Sequence, residues 1–562
     1  MNGLLKMYLG IVACSLLGVG SIHAQSETDA FSLSRTETDG TARFQAMGGA
    51  FAALGGDLSS ISQNPAGGAV FHKSEMSMTL GFDNRATTAH WYNQESRQSR
   101  SNVKMPQIGY VSSYYDASTG NGFTFAINRN RVIRFDRDFS AETNPEGTLL
   151  DYNGVKGIPF SIADYTGLIT PENLRYDSFY DPQKGGLYDA NASWMTILGY
   201  EAGFINPGAG GAGPYVTNFY YPDGSGSKVP FGPKRATLQM QERGYMHSYD
   251  FNFGYNWGDR YYLGASLKYT SVEKQLVSLY GEDFSYNDYL ELYNELMTTG
   301  SGFGLSVGTI LRPTDGLRIG LAYHSPTWLS LVDRYYATAK THYTSLSNDG
   351  SHVNKVYQLE GKTPKPKGSN SYSIITPSRF VVGLAYTFGN RGLISVDYDL
   401  MPYSWMRIKF PGSTSASLDN RAIESHYGLQ HTVRVGGEVR VLPALSLRLG
   451  GAYSTTPMKA GNGLTTFEGS SQTPILVAGT LPHYSIQKVQ WLFGGGVGYR
   501  FSKSFYMDAA LVRTQNDSYV YAFPMLSDRN GDPLKSDVFA TPNAIKLSNS
   551  NIRATITFGY KF

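Results

Sequence analysis

Cysteine is nearly missing from this chain: one residue, Cys14, in 562. It sits in the first apolar run, so a chain cut after Ala24 holds no thiol, and disulfides and thiolate chemistry are excluded. Charge is scarce too, at 17% Asp, Glu, Lys and Arg, with a formal net charge of +3. No block of like charge stands out, and no basic patch for nucleic acid emerges. Past residue 24 no apolar run is long enough to span a bilayer as a helix. A mean hydropathy of −0.29 excludes a helical membrane bundle. There is no His-Glu-x-x-His, and no catalytic or metal-binding constellation stands out.

Aromatic residues and glycine are plentiful: 41 Tyr, 29 Phe and 63 Gly. Their arrangement is clearest between Tyr245 and Ser271. Tyr245, His247, Tyr249, Phe251, Phe253, Tyr255 and Trp257 alternate with Met246, Ser248, Asp250, Asn252, Gly254 and Asn256. After Gly258-Asp259-Arg260 the alternation resumes with Tyr261, Leu263, Ala265, Leu267 and Tyr269. Successive side chains of a strand point to opposite faces, so each run has one apolar and one mostly polar face. Strands of soluble proteins average about 5–6 residues, and these runs are about twice as long. Roughly ten tilted residues cross a bilayer as a strand. Aromatics gathered at the turn end of the apolar face are the mark of an outer-membrane barrel.

Residues 1–24 have the form of a secretory signal: Lys6, an apolar run from Met7 to Val19, and Ile22-His23-Ala24 as a cleavage site. Residues 25–73 do not alternate. They are dense in small residues, and Gly pairs and Asn64-Pro65 break regular structure. Such a segment cannot build a large core alone, but it can fill the inside of something else. From residue 74 onward, fourteen alternating runs follow, with short connections strictly between long ones. An even number with that rhythm predicts an all-β, 14-stranded antiparallel transmembrane barrel spanning 74–562, short turns in the periplasm, and both termini periplasmic. Long outer loops are expected at 136–242, 274–300 and 326–376. Glu282–Met297 carries Tyr289, Leu290, Tyr293, Leu296 and Met297 at helical spacing, which predicts an amphipathic helix in an outer loop.

The small-residue segment resembles the N-terminal hatch of the FadL/TodX outer-membrane transport family. The resemblance rests on Gly40-Thr41-Ala42-Arg43, on Ala46-Met47-Gly48-Gly49-Ala50-Phe51, on Asp57, and on Asn64-Pro65-Ala66. It implies a monomeric barrel with a hatch in its lumen, in outer-membrane lipid, that passes hydrophobic molecules such as long-chain fatty acids. It also implies that the terminal Phe562 is read by the barrel assembly machinery, and that no cofactor is needed. Helices in the outer loops of that family form a hydrophobic groove. Tyr289, Leu290, Tyr293, Leu296 and Met297 are therefore expected to line the groove by which solute arrives.

In the hatch, Arg43 and Phe44 are candidates to meet a ligand's head and tail, or to anchor the segment to the wall. Met47, Gly48, Asn64, Pro65 and Ala66 are expected to shape it. Arg129, Arg131 and Arg134 are candidate carboxylate ligands. Asp250, Asp397 and Asp399 read as solvated lumen residues. A second reading is a surface receptor for haem or a host ligand, with His247, His426, His431 and His483 as scattered candidates. Asp528 to Asp532 resembles a Ca²⁺ loop that no Glu closes. A third reading, a barrel hydrolase, lacks an identified nucleophile and base. The expected mechanism is passive passage through an apolar pocket gated by the hatch.

Overall fold

A computed structural model describes residues 26–562 apart from 144–149, 153–154, 158–160, 171–192, 208–214, 223–227, 231, 347–352, 364–367, 412–417, 460–479 and 525–543. The Asp528–Asp532 stretch lies outside the described residues.

Fourteen strands form the wall. They are β1 (Glu75–Trp91), β2 (Gln94–Asp116), β3 (Asn121–Arg134, continuing as Arg137–Glu142), β4 (Arg235–Trp257), β5 (Tyr261–Asp283) and β6 (Tyr289–Leu311). Then come β7 (Leu317–His324, continuing as Trp328–Leu346), β8 (Val353–Lys362, Gly368–Ile375 and Arg379–Thr387), β9 (Gly392–Pro402) and β10 (Leu429–Leu442). The last are β11 (Leu445–Ser454), β12 (Tyr484–Arg500), β13 (Phe505–Tyr521) and β14 (Ile545–Lys561). Each pairs antiparallel with its neighbour, and β14 closes on β1 from Glu75↔Lys561 to His90↔Lys546. The wall is therefore a closed antiparallel barrel of fourteen strands.

Period-two alternation decides which side chains face out. On β4, Phe253, Tyr255 and Trp257 are exposed, whereas Asn252 and Asn256 are buried. Leu263 and Leu267 on β5, and Leu305 and Val307 on β6, continue the exposed apolar surface. Apolar side chains outside and Asn, Asp and Arg inside are the reverse of a soluble protein, and the arrangement fits a wall surrounded by lipid.

Two expectations are corrected. Glu282–Met297 is not a helix: β5 runs to Asp283, a single 3₁₀ turn spans Ser285–Asn287, and β6 begins at Tyr289. Leu290, Leu292 and Leu296 alternate inward, and Asn294 between them broke the apolar pattern that would have marked a strand. The outer loops are also shorter than expected, because the strands extend past the lipid-facing band. Residues 274–300 are nearly all hairpin, and β7 and β8 carry much of 326–376.

Among the described residues five helices accompany the wall: α1 (Glu27–Ser34), α2 (Ala42–Ala46), α3 (Ile162–Ile169), α4 (Trp194–Glu201) and α5 (Leu418–His426). Thr41 caps α2 through Phe44 N, and Asn64 caps the 3₁₀ turn Pro65–Val70 through Ala66 N. Helices α3 and α4 belong to the 136–242 connection. With the outer ends of β3 to β7, β13, β14 and β1 they form the largest apolar cluster among the described residues.

Candidate functional site

The N-terminal segment lies against the inner face of the wall on many strands at once. Asp397 Oδ2 on β9 accepts the backbone N–H of Ala52 at 2.8 Å. Gln63 donates to Asp399, and Asn252 on β4 donates to the Pro65 carbonyl at 3.0 Å. Asn64 Nδ2 donates to the carbonyls of Ala52 and Thr309, at 2.7 and 3.1 Å. The aspartates expected to be solvated are instead holding this segment: Asp397 and Asp399 are buried.

A belt of inward glycines makes that approach possible. In register across the sheet, Gly254 faces Gly264, Gly264 faces Gly308, Gly320 faces Gly383, Gly436 faces Gly450, and Gly450 faces Gly494. A Cβ on Gly264 would overlap the Pro65 backbone, and one on Gly450 would overlap Met47. One on Gly494 would stand 2.6 Å from Gln45 O, and one on Gly436 2.5 Å from Met47 O. Backbone packs on backbone, at distances no other residue allows. This belt escaped the sequence reading. Its signal was present as a glycine recurring on the polar face of successive runs.

Arg43 bonds Glu438 on β10 at 2.9 Å and stacks over Phe51 at 5.3 Å. Phe44 packs on Phe51, with ring centroids 5.3 Å apart. Both residues are thus engaged with wall and segment. Met47 and Gly48 sit on the belt, Gly48 at φ +65° against Gly451. Asn64, Pro65 and Ala66 form the cap and first turn described above.

Above the belt, toward the long connections, opens a chamber of about 1900 Å³ counted out to solvent. Seven cationic side chains line it (Arg35, Arg85, Arg134, Arg137, Lys274, Arg434, Arg553) against four carboxylates (Asp29, Glu37, Glu242, Asp399). Some are mutually paired: Arg137 with Glu242 at 2.8 Å, Arg85 with Glu37 at 3.4 Å, Arg434 with Asp399 at 2.5 Å. Among the described residues Arg35 forms no ion pair, and Arg134 Nη2 is buried without a hydrogen bond. Phe31, Phe135, Met401, Tyr403, Tyr484 and Leu492 supply an apolar side. The expected apolar pocket is therefore corrected: the chamber is amphipathic, with a surplus of positive charge. The inner face carries both kinds of side chain, and at the chamber they meet.

Helix α1 forms one side of the chamber. Its Phe31 packs on Tyr403 and Tyr427, with ring centroids 5.3 and 5.2 Å apart. Glu27 meets His426 of α5 at 2.8 Å, and both are buried. Helix α5 lies in the long connection between β9 and β10. Ser26 thus lies on the side of that connection, while the expected periplasmic N-terminus falls outside the described residues.

One seam in the wall lacks backbone pairing. The β2–β3 ladder stops at Gln107↔Asn130. Beyond it Asp136 accepts from Lys104 at 2.5 Å, Arg134 at 2.7 Å and Asn102 at 3.1 Å. Side chains, not the ladder, close the wall there.

The remaining candidates separate. Tyr289, Tyr293 and Met297 stand on one face of β6, and Leu290 and Leu296 on the other, buried in the outer apolar cluster. Alternation on a strand keeps them from sharing one groove. Arg129 reaches the outward His247 at 2.7 Å, while Arg131 and Arg134 point inward to Asp39, Asp83 and Asp136. His431 bonds Tyr398 at 2.7 Å and His483 lines the chamber, so the four histidines do not converge. A Gly-x-Ser-x-Gly spacing does occur, at Gly304–Gly308, but it runs through β6 rather than a strand-to-helix turn. That elbow needs the turn to expose its serine, and Ser306 is buried. Among the described residues no group of His, Cys, Asp and Glu is placed to hold a metal.

The closed wall, the lipid-facing apolar surface and the polar interior define an outer-membrane β-barrel. Its structural neighbours include a Pseudomonas aeruginosa FadL homologue, 12% identical, covering 94% of this chain and 100% of that one at a TM-score of 0.49. They also include the Pseudomonas putida toluene transporter TodX, 14% identical, covering 94% and 100% at a TM-score of 0.45. A third is the Ralstonia pickettii toluene transporter TbuX, 15% identical, covering 94% and 99% at a TM-score of 0.45. No family model and no curated protein matches the sequence.

Proposed function

We propose that this protein is an outer-membrane channel for hydrophobic compounds, and that the preferred solute has an anionic end, as a long-chain fatty acid has. The observation that supports this reading is the chamber: seven cations against four carboxylates, with an aromatic and aliphatic side next to them. Each buried CH₂ contributes about 0.8 kcal/mol, so an acyl chain needs no specific polar contact, and the cations select its head. Residues 26–73 act as the hatch. The part on the glycine belt stays in place, while α1, held by side chains, moves to let the solute pass. The solute leaves sideways through the β2–β3 seam, where parting the strands breaks side-chain contacts only.

The test is a titration of the purified protein with a fluorescent long-chain fatty acid and with its uncharged methyl ester. Tighter binding of the acid, lost on Arg434→Gln with Arg35→Gln, supports the reading. Equal binding of acid and ester counts against an anionic solute. No binding of either counts against the chamber.

A further inference from the structure

From β10 to β14 the inner wall rises in tiers, because strands in register hold their inward side chains level with one another. The belt is the lowest tier: Gly436 faces Gly450 and Gly450 faces Gly494, followed by Val512 and Arg553. Two residues further out on each strand, the next inward set reads Arg434, Ala452, Leu492, Thr514 and Asn551, with Arg85 of β1 beside it. The set above that reads Thr432, Ser454, Gln490, Asn516 and Asn549. Both upper tiers line the chamber. The middle tier has a cation at each end and Ala452 and Leu492 between. The top tier holds neither a charge nor an apolar side chain: each of its five strands contributes a hydroxyl or an amide.

That top tier is not closed on itself. Thr432 and Ser454 share a hydrogen bond at 2.9 Å, and Asn549 accepts from Thr87 at 3.0 Å and donates to the Asn516 carbonyl at 3.3 Å. The side-chain amides of Gln490 and Asn516 meet no partner among the described residues. One tier below, Asn551 is 7% exposed, and its Oδ1 is buried without a hydrogen bond. Buried polar atoms are nearly always paired, so an unpaired one on a cavity wall points to a ligand. A plain alkyl chain laid across these residues strips water from the amides and returns nothing, which the burial of polar groups penalises. A chain bearing a hydroxyl returns a hydrogen bond, since an amide both donates and accepts.

We propose that the top tier is a second recognition site in the chamber, and that it reads a hydroxyl on the acyl chain. The preferred solute is then a hydroxylated long-chain carboxylate. Its carboxylate sits at Arg35 and Arg434, its chain crosses Ala452 and Leu492, and its hydroxyl meets Gln490 and Asn516. Neighbouring strands lie about 4.8 Å apart and side chains of one face repeat about every 7 Å along a strand, so the backbones of Arg434 and Gln490 stand about 12 Å apart. That span places the hydroxyl in the middle of the chain rather than beside the head. The inference rests on the channel reading above, and its test separates the two.

Ricinoleic acid and oleic acid differ by one mid-chain hydroxyl. Calorimetry compares their binding to the purified native protein. Ricinoleic acid is expected to bind about tenfold more tightly, the worth of one hydrogen bond. A wall built to hydrogen-bond a hydroxyl rejects the analogue that lacks it, whereas an apolar wall does not ask for one. Equal binding, or a preference for oleic acid, overturns the hydroxyl site. The double variant Gln490→Met with Asn516→Leu keeps the volume and removes both amides, and in it the preference is expected to disappear. An undiminished preference overturns the assignment to these residues. Gel mobility of unheated samples reports a folded barrel. Should the double variant misfold, the comparison of the two acids on the native protein still decides whether a hydroxyl is read. If neither acid binds, the chamber reading itself fails; if both bind, that reading stands whatever their ratio.

Discussion

Asp397 on β9 accepts the backbone N–H of Ala52 at 2.8 Å, so one wall carboxylate holds the middle of the N-terminal segment inside the barrel. An N–H at that depth has no water to turn to. Replacing Asp397 with Ala should therefore cost about 1–3 kcal/mol, the usual penalty for a buried unsatisfied polar group. Asp397→Asn, which keeps an acceptor oxygen, should cost less. Urea unfolding of the detergent-solubilised barrel, followed by tryptophan fluorescence, measures both.

The glycine belt predicts a different failure. In Gly450→Leu the new side chain must displace Met47, because a Cβ alone already overlaps it. Overpacking of this kind costs about 1–3 kcal/mol or more. The barrel should still close, since the belt lies on its inner face, while the segment is pushed out. Planar-bilayer recordings should then show a steady ion conductance where the native protein shows none. Gly437→Leu on β10, next to Gly450's cross-strand partner Gly436, meets no part of the segment and should leave the recording unchanged.

Asp57 gives a pH signature. Burial pushes its carboxyl up to about 6, against hydrogen bonds from Thr41 and Ser59 that pull it down. With the segment undocked, the group titrates near the ordinary aspartate value of about 3.9. The docked state therefore binds the proton first, and docking gains stability as pH falls from about 6 towards about 4. Above pH 6 that gain is absent. Protease protection of the segment should rise over this window, and Asp57→Asn should flatten the slope.

The chamber's charge predicts selectivity. Arg35 lines it without an ion-pair partner among the described residues. Arg35→Gln should weaken binding of a fatty acid about tenfold, near 1.4 kcal/mol, and leave its methyl ester unaffected. Calorimetry with both ligands reads the difference.

The wall was legible in the sequence because lipid outside and polar groups inside impose a period of two that few other structures sustain over ten residues. All fourteen runs are strands. What alternation did not show was their length. Beyond the lipid, β2 residues such as Ser96 and Arg97 are polar on both faces, so the pattern fades while the strand continues. The misreading of Tyr289 to Met297 has a similar cause: Asn294, facing inward among leucines, interrupted the period. The hatch motif pointed to the segment but not to its partners. Those partners, the belt glycines and Asp397, lie hundreds of residues away and become a site only once strand register is known. The chamber is built the same way, from Arg35, Lys274, Arg434 and Arg553 on separate elements. No local spacing could announce it.

The central claim is that hydrophobic solutes cross this barrel while water-soluble ones do not, because the N-terminal segment fills the lumen. The direct measurement is uptake by a Gram-negative host stripped of its own hydrophobic-compound channels. A labelled long-chain fatty acid and a labelled disaccharide are followed side by side, with the native protein and with Gly450→Leu. The account predicts that the native protein admits the fatty acid and excludes the sugar, and that Gly450→Leu admits both. Sugar passing freely through the native barrel, or fatty acid uptake no faster than in cells without it, would contradict the account.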